Sequence, residues 1–336
     1  MKIITIEEHI TSEEALKSMM ESPAGDFGKD RMKFFMEKAT VDGKLTDIEN
    51  IRIPYMDKVG IDMQILSYIN LASSNLTGEE RTNTCIRGND FLKEQILKHP
   101  DRFGAFATLP LWDVEASCKE LERCVNVYGF KGALVQGKVD GHFLDEKEYI
   151  PLFEKAEELD VPIYFHPSFP VKEIQDYYYN SKDGSWSDEV ANEFSSAGFG
   201  WHIDIGIQVV RMILSGIFDR CPNLKIITGH WGEGMISMLD RMDYMMPKSQ
   251  TGLKKNISEY YKENIYVTPS GIESEVNLEA VTKYVGADHI IWAVDYPYLM
   301  NDTVVDFLMN SNLTNEEKEL ISHKNAEKLF KLEENE

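Results

Sequence analysis

The chain has 336 residues, 43% of them hydrophobic, which is enough to bury the core of one barrel-sized domain without requiring a second. Its 35 Lys and Arg face 57 Asp and Glu, and the resulting charge of −22 repels phosphate backbones and anionic lipid, so nucleic-acid and membrane partners are excluded. A small anionic substrate is not excluded, because a metal and one or two local cations set the field inside a pocket.

In chain order, the first strand is expected at Ile3–Glu8, within an N-terminus, MKIITIEEHI, that has no signal-peptide core; with no run of about 18 apolar residues anywhere, a cytoplasmic location is expected. A long insertion, residues 10–50, follows and carries Phe34-Phe35. Strands are then expected at Met63–Tyr68, Phe103–Leu109, Gly132–Gln136 and Pro162–His166, interleaved with helices at Asn83–Lys98, Val114–Val127 and Lys147–Glu158. Pro162 suits the first residue of its strand, where a missing N–H is tolerable.

A second insertion, residues 169–200, follows the fifth strand with Tyr177-Tyr-Tyr179 and Trp186. Loops of this length are lids over a site or contacts between subunits, and both readings stay open. The helix Ile203–Ile217 groups Ile205, Val209, Met212 and Ile213 on one packing face. Strands Leu224–His230, Ile265–Pro269 and Ile290–Asp295 complete the series, with helices at Ile257–Glu263 and Leu278–Val285. Most strands are continuous apolar runs, which fits strands covered on both faces. Eight of them alternating with helices specify an α/β fold, a (β/α)8 TIM barrel, in a single domain over residues 1–336 with long loops after strands 1 and 5. Cys85, Cys118, Cys124 and Cys221 form no C-x-x-C pair and are read as packing residues.

The chemistry-bearing residues lie at strand ends, which in a parallel barrel open on one face. In Thr5-Ile-Glu-Glu-His9, alternation turns Glu7 and His9 to the interior and Glu8 outward. His166 closes the fifth strand before Pro167. In Gly229-His-Trp-Gly-Glu-Gly234 the glycines allow a tight turn beside a ligand at His230, and a helix is expected to follow, with Glu233 facing its dipole. Asp295 ends five nonpolar residues, and a buried acid there needs a cation or a catalytic role. Two carboxylates and three imidazoles converging on one face indicate a divalent metal, Zn2+ from the imidazoles, with Mn2+ or Mg2+ as alternatives.

These positions resemble the amidohydrolase superfamily, in its amidohydrolase-related branch, over essentially the whole chain. The resemblance rests on Ile6-Glu-Glu-His9, His99-Pro-Asp-Arg-Phe-Gly-Ala-Phe-Ala107, Gly129-Phe-Lys-Gly-Ala133, His166-Pro167, Gly229-His-Trp-Gly-Glu-Gly234 with Arg241, and Asp295-Tyr-Pro297. Within the branch, the chain is most similar to decarboxylases of dihydroxybenzoates such as γ-resorcylate and to the aminocarboxymuconate-semialdehyde decarboxylase-like group. The resemblance implies a metal set of Glu7, His9, His166 and Asp295, catalytic roles for Asp295, His230 and Arg241, and substrate contacts from Arg241, His230 and Gln136. It also implies nonoxidative decarboxylation of a hydroxylated aromatic or related cyclic acid, with Asp295 protonating the ring, and a homodimer or homotetramer. A metal-dependent hydrolase or hydratase acting on a lactone, amide or enol acid is the alternative with the same metal set. The chain departs from these relatives at Ala293-Val294, where they carry Ser-Thr or Ser-Ser, at Gln136 in place of Asn, and at Tyr296 and Tyr298 in place of Trp and Phe.

Overall fold

A computed structural model describes residues 1–21, 43–69 and 76–332, so Phe34-Phe35 lie outside the described residues. Parallel strands β1 (Ile4–Ile10), β2 (Met63–Tyr68) and β3 (Phe103–Phe106) form one sheet in that order. β4 (Ala133–Gln136), β7 (Ile163–His166), β8 (Ile226–Thr228) and β9 (Ile265–Val267) form a second, and between them the short hairpin β5 (Lys138–Val139) and β6 (His142–Phe143) stands apart. Single parallel bridges Ala107↔Ala133, Val267↔Ile290 and Ile6↔Ala293 join the two sheets into a ring. The eight-position barrel is thereby closed, and its last position is two isolated bridges rather than the continuous strand expected at Ile290–Asp295.

Strand residues of one parity, Ile4, Ile6, Ile65, Phe106, Tyr164, Ile227, Tyr266 and Ile291, pack together inside the ring, and Ala326 and Phe330 of the C-terminal helix pack with them. Residues of the other parity join the helices in the larger outer cluster, among them the buried Ile205, Val209, Met212 and Ile213 of the helix Gly200–Leu214. The interior layers of a barrel require this division. Helix starts follow local chemistry: Asp113 accepts from Ala116 N at 3.0 Å, and Asn256 and Glu259 form a reciprocal capping box.

The insertion 169–200 is not an open loop. It folds as the short turns Lys172–Ile174 and Gln175–Tyr179 and the helix Asp188–Ser195, capped by Ser187. None of the four cysteines forms a disulfide. Among the described residues, no helix is long and apolar enough to cross a membrane.

Candidate metal centre

β1 reaches the site by breaking its own alternation. Its pairing with β2 runs Ile6↔Ile65 and then Glu8↔Leu66, leaving Glu7 as an extra residue at a left-handed φ of 70°. Ile4 and Ile6 face the barrel interior, so strict alternation would have sent Glu8 inward and His9 outward. The extra residue reverses the phase. Glu7 and His9 both reach the site, as expected, but through a bulge rather than through simple alternation. Glu8 turns to the other side and is fully buried there.

Ligand-capable atoms of Glu7, His9, His166 and Asp295 all lie within 4.8 Å of one another. Glu7 Oε1 is 3.6 Å from His166 Nε2, and His9 Nε2 is 3.2 Å from Asp295 Oδ1. Glu7 Oε1, His9 Nε2 and Asp295 Oδ1 are buried polar atoms with no hydrogen-bond partner. Buried polar atoms left without partners around one point are costly unless a cation completes them, so this set fits a divalent metal.

The neighbouring groups leave those atoms available. His166 Nδ1 lies 2.8 Å from the Pro167 carbonyl, which can only accept; Nδ1 therefore carries the proton, and Nε2 presents its lone pair to the site. Burial, reinforced by His9 and His230, holds His166 well below the usual histidine range, in the neutral form a ligand requires. Burial pushes the Glu7 carboxyl up, against the attraction of His230. Its Oε2 accepts from Tyr164 and Ser270 and from Thr268 Oγ1 at 3.2 Å, which leaves Oε1 free to face the imidazoles.

Gly229, before His230, is a close approach. A Cβ there would come within 2.7 Å of Ser270 Oγ and 3.2 Å of Glu7 Oε1. The expected helix follows a few residues later, at Leu239–Met245, and not directly at Glu233, because Trp231, Gly232 and Glu233 have φ of 58°, 79° and 57°, a left-handed turn that aims His230 back over the site. Its Nε2 is 3.9 Å from Glu7 Oε1. Glu233 is buried with one oxygen 2.8 Å from His230 Nδ1 and the other 2.7 Å from His202 Nδ1. It is therefore a support for His230, not a partner of a helix dipole. Burial opposes charge on His230, but Glu233 and Glu7 outweigh it and push the imidazole up to about 10.

A cavity of about 460 Å³ opens above these groups, lined by His166, His230 and Asp295 together with Trp201, Phe199 and Ile272. Phe169, Asn192 and Phe199 bring the 169–200 insertion onto this cavity, so that segment is part of its wall. Gln136 ends β4 opposite His166 but does not line the cavity. Arg241 is not brought there either. Leu239 and Met242 turn the helix Leu239–Met245 toward the core, and Arg241 falls on its solvent side.

Sequence reasoning missed Tyr164, Thr268, Ser270, His202 and the bracing role of Glu233. Parity carried a signal for some of them: Tyr164 and His166 share one side of β7, and Thr268 and Ser270 are likewise two residues apart beyond β9.

The family model described as Amidohydrolase matches residues 36–332, a span that leaves Glu7 and His9 outside it. The γ-resorcylate decarboxylase of a Polaromonas species is 34% identical over 342 residues, with 98% of each chain covered. A solved structure of a putative amidohydrolase from Staphylococcus aureus has a TM-score of 0.85 at 40% identity, covering 99% of this chain and 100% of that one. The solved dihydroxybenzoic acid decarboxylase of Polaromonas, with bound manganese and the inhibitor 2-nitroresorcinol, has a TM-score of 0.83 at 32% identity, covering 98% of this chain and 97% of that one.

Proposed function

The chain belongs to the amidohydrolase family, and from that premise we propose that residues 1–336 act as one metal-dependent nonoxidative decarboxylase of a hydroxylated aromatic acid. The observation that carries this reading is the convergence of three orphaned buried atoms, on Glu7, His9 and Asp295, with the neutral His166. Glu7, His9, His166 and Asp295 are the residues that would hold the ion. Two imidazoles favour Zn2+, whereas the Polaromonas relative holds manganese, and elemental analysis of the purified protein distinguishes them. When bound, the ion supplies Lewis-acid attraction for the oxygens of a carboxylate and its ortho hydroxyl.

The protein's own groups account for the remaining steps. Trp201, Phe199 and Ile272 offer an apolar wall to a flat ring and exclude water from it. The His230 imidazolium, held by Glu233, faces the substrate's anionic oxygens and fixes the ring against rotation. Asp295 delivers a proton from the oxygen not turned to His9 to the ring carbon that bears the carboxylate. The bond from that carbon to the carboxylate then breaks, its electron pair returns to the ring, and CO2 leaves. Asp295 is left ionised and takes its next proton from water.

The test is to incubate the metal-loaded protein with a panel of dihydroxybenzoates and lactones, following CO2 against ring-opened acid. CO2 from at least one dihydroxybenzoate is the expected result, and its release from none of them overturns the reading. A cytoplasmic homo-oligomer belongs to the same proposal, checked by cell fractionation and light scattering.

A further inference from the structure

Glu8 has no part in that mechanism, yet both of its carboxylate oxygens are committed at the catalytic end of the barrel. Oε1 accepts Val294 N at 3.0 Å and Oε2 accepts Tyr296 N at 3.3 Å, the two amides that flank Asp295. Asp295 itself sits at a left-handed φ of 62°. A non-glycine residue there persists only where its surroundings over-determine it, and amides bracketing a left-handed residue form a concavity that takes an anion.

The carboxylate is braced in turn. Gln64 Nε2 donates to Oε2 at 3.1 Å, and Arg52 Nη1 donates to Gln64 Oε1 at 3.0 Å. Arg52 also donates to the His9 carbonyl, and its guanidinium lies 4.1 Å over the Tyr296 ring. His9 N donates to Tyr296 O at 2.7 Å, so the strand that carries two proposed ligands, Glu7 and His9, is tied to the segment that carries Asp295. Arg52, Gln64 and Glu8 are all fully buried. The closing barrel position offers only isolated bridges, at Ile290 and Ala293, and no ladder continues through Asp295. The Glu8 carboxylate, with the main-chain bond from His9 N to Tyr296 O, takes the place of that ladder.

We propose that Glu8 is a positioning residue: its two oxygens clamp the backbone on either side of Asp295 and set the direction of that carboxylate toward the metal set. The proposal rests on the metal reading above.

A double-mutant cycle read by Mn2+ affinity, from equilibrium dialysis, tests it without recourse to turnover. Glu8→Gln keeps the volume but turns an NH2 toward one of the two amides. Glu8→Asp keeps a carboxyl group but cannot span both amides, and it serves if the Gln variant fails to fold. Both are expected to weaken Mn2+ binding about 10- to 100-fold in the native background, and to cause no further loss once Asp295→Ala is present. A purely structural role would lower the melting temperature in both backgrounds and leave the affinity of the folded protein unmoved. The proposal is overturned if the loss is equal in the two backgrounds, or if Glu8→Asp binds Mn2+ as tightly as the native chain. If Asp295→Ala alone binds Mn2+ undiminished, the metal reading fails, a separate result that removes the proposal with it.

Discussion

Tyr164→Phe removes one hydroxyl from the Glu7 cradle while keeping a fully buried ring in place, so its effect isolates a hydrogen bond from packing. Metal affinity responds only to the difference between the hydrogen bond's value with metal bound and without. Burial raises the Glu7 carboxyl, so the metal-free side chain carries its proton more readily than an exposed one. A hydroxyl donating to a neutral acid contributes about 1 kcal/mol, and one donating to a carboxylate about 1.5–3 kcal/mol. The difference is about 0.5–2 kcal/mol, and because Ser270 and Thr268 still donate to the same oxygen it falls in the lower half of that range, about 0.5–1 kcal/mol, or roughly two- to fivefold in Mn2+ affinity. The sign with pH follows. As pH rises until the metal-free Glu7 also ionises, the hydroxyl supports both states and the penalty on affinity shrinks. Calorimetric titration with Mn2+ at several pH values reads this directly. An unchanged affinity, or a loss that does not diminish with pH, refutes the cradle as the device that presents Oε1.

Asp295→Asn should cut CO2 release about 10²- to 10⁴-fold, the usual contribution of a positioned acid, measured under metal saturation so that weakened binding is compensated. Glu233→Gln removes the largest influence raising His230; because the imidazolium is the active form and is lost as pH rises through its pKa, the alkaline limb of kcat/KM should move down from about 10, and an unmoved limb would assign the charge elsewhere. Chelation should abolish CO2 release and lower the melting temperature. Restoring Mn2+ to about 100 times its Kd should return about 2.7 kcal/mol of stability, and a melting curve indifferent to Mn2+ would argue against an ion in this donor set.

The strands were legible because burial on both faces leaves an apolar run, and Met63–Tyr68 appears with the bounds its sequence indicates. Ile290–Asp295 was apolar for the same reason, yet it pairs only at two points. Hydrophobicity reports burial and does not report whether a ladder forms. The convergent cluster of Glu7, His9, His166 and Asp295, the proposed metal set, was legible because carboxylates and imidazoles after apolar runs are rare without a partner. Its supports were not: a hydroxyl such as Thr268 or Ser270 resembles any polar residue at a strand end, and Glu233 after a glycine resembles a helix start. Only the left-handed turn at Trp231 and Gly232 reveals what Glu233 braces.

The same physics accounts for why Glu7 and His9 both reach the site although the local picture expected at β1 differs from the bulged strand. A bulge adds a residue without a compositional mark, so Glu7 and His9 looked like simple alternation. The bulge also gives Glu8 its place. Had β1 stayed in phase with Ile4 and Ile6, Glu8 would enter the interior and His9 would leave the site. One inserted residue therefore delivers two proposed ligands from a single strand and turns the acid between them outward, onto the amides beside a third. Left-handed backbone at Glu7, His230, Ser270 and Asp295 is the local cost of this arrangement. It is sustained by bonds that cross between strand ends, with Ser270 Oγ accepting His230 N at 2.9 Å while donating to Glu7, and Glu8 bridging Val294 and Tyr296. A site assembled this way resists displacement of any one member, because each strained residue is held by a neighbour that is itself held by another.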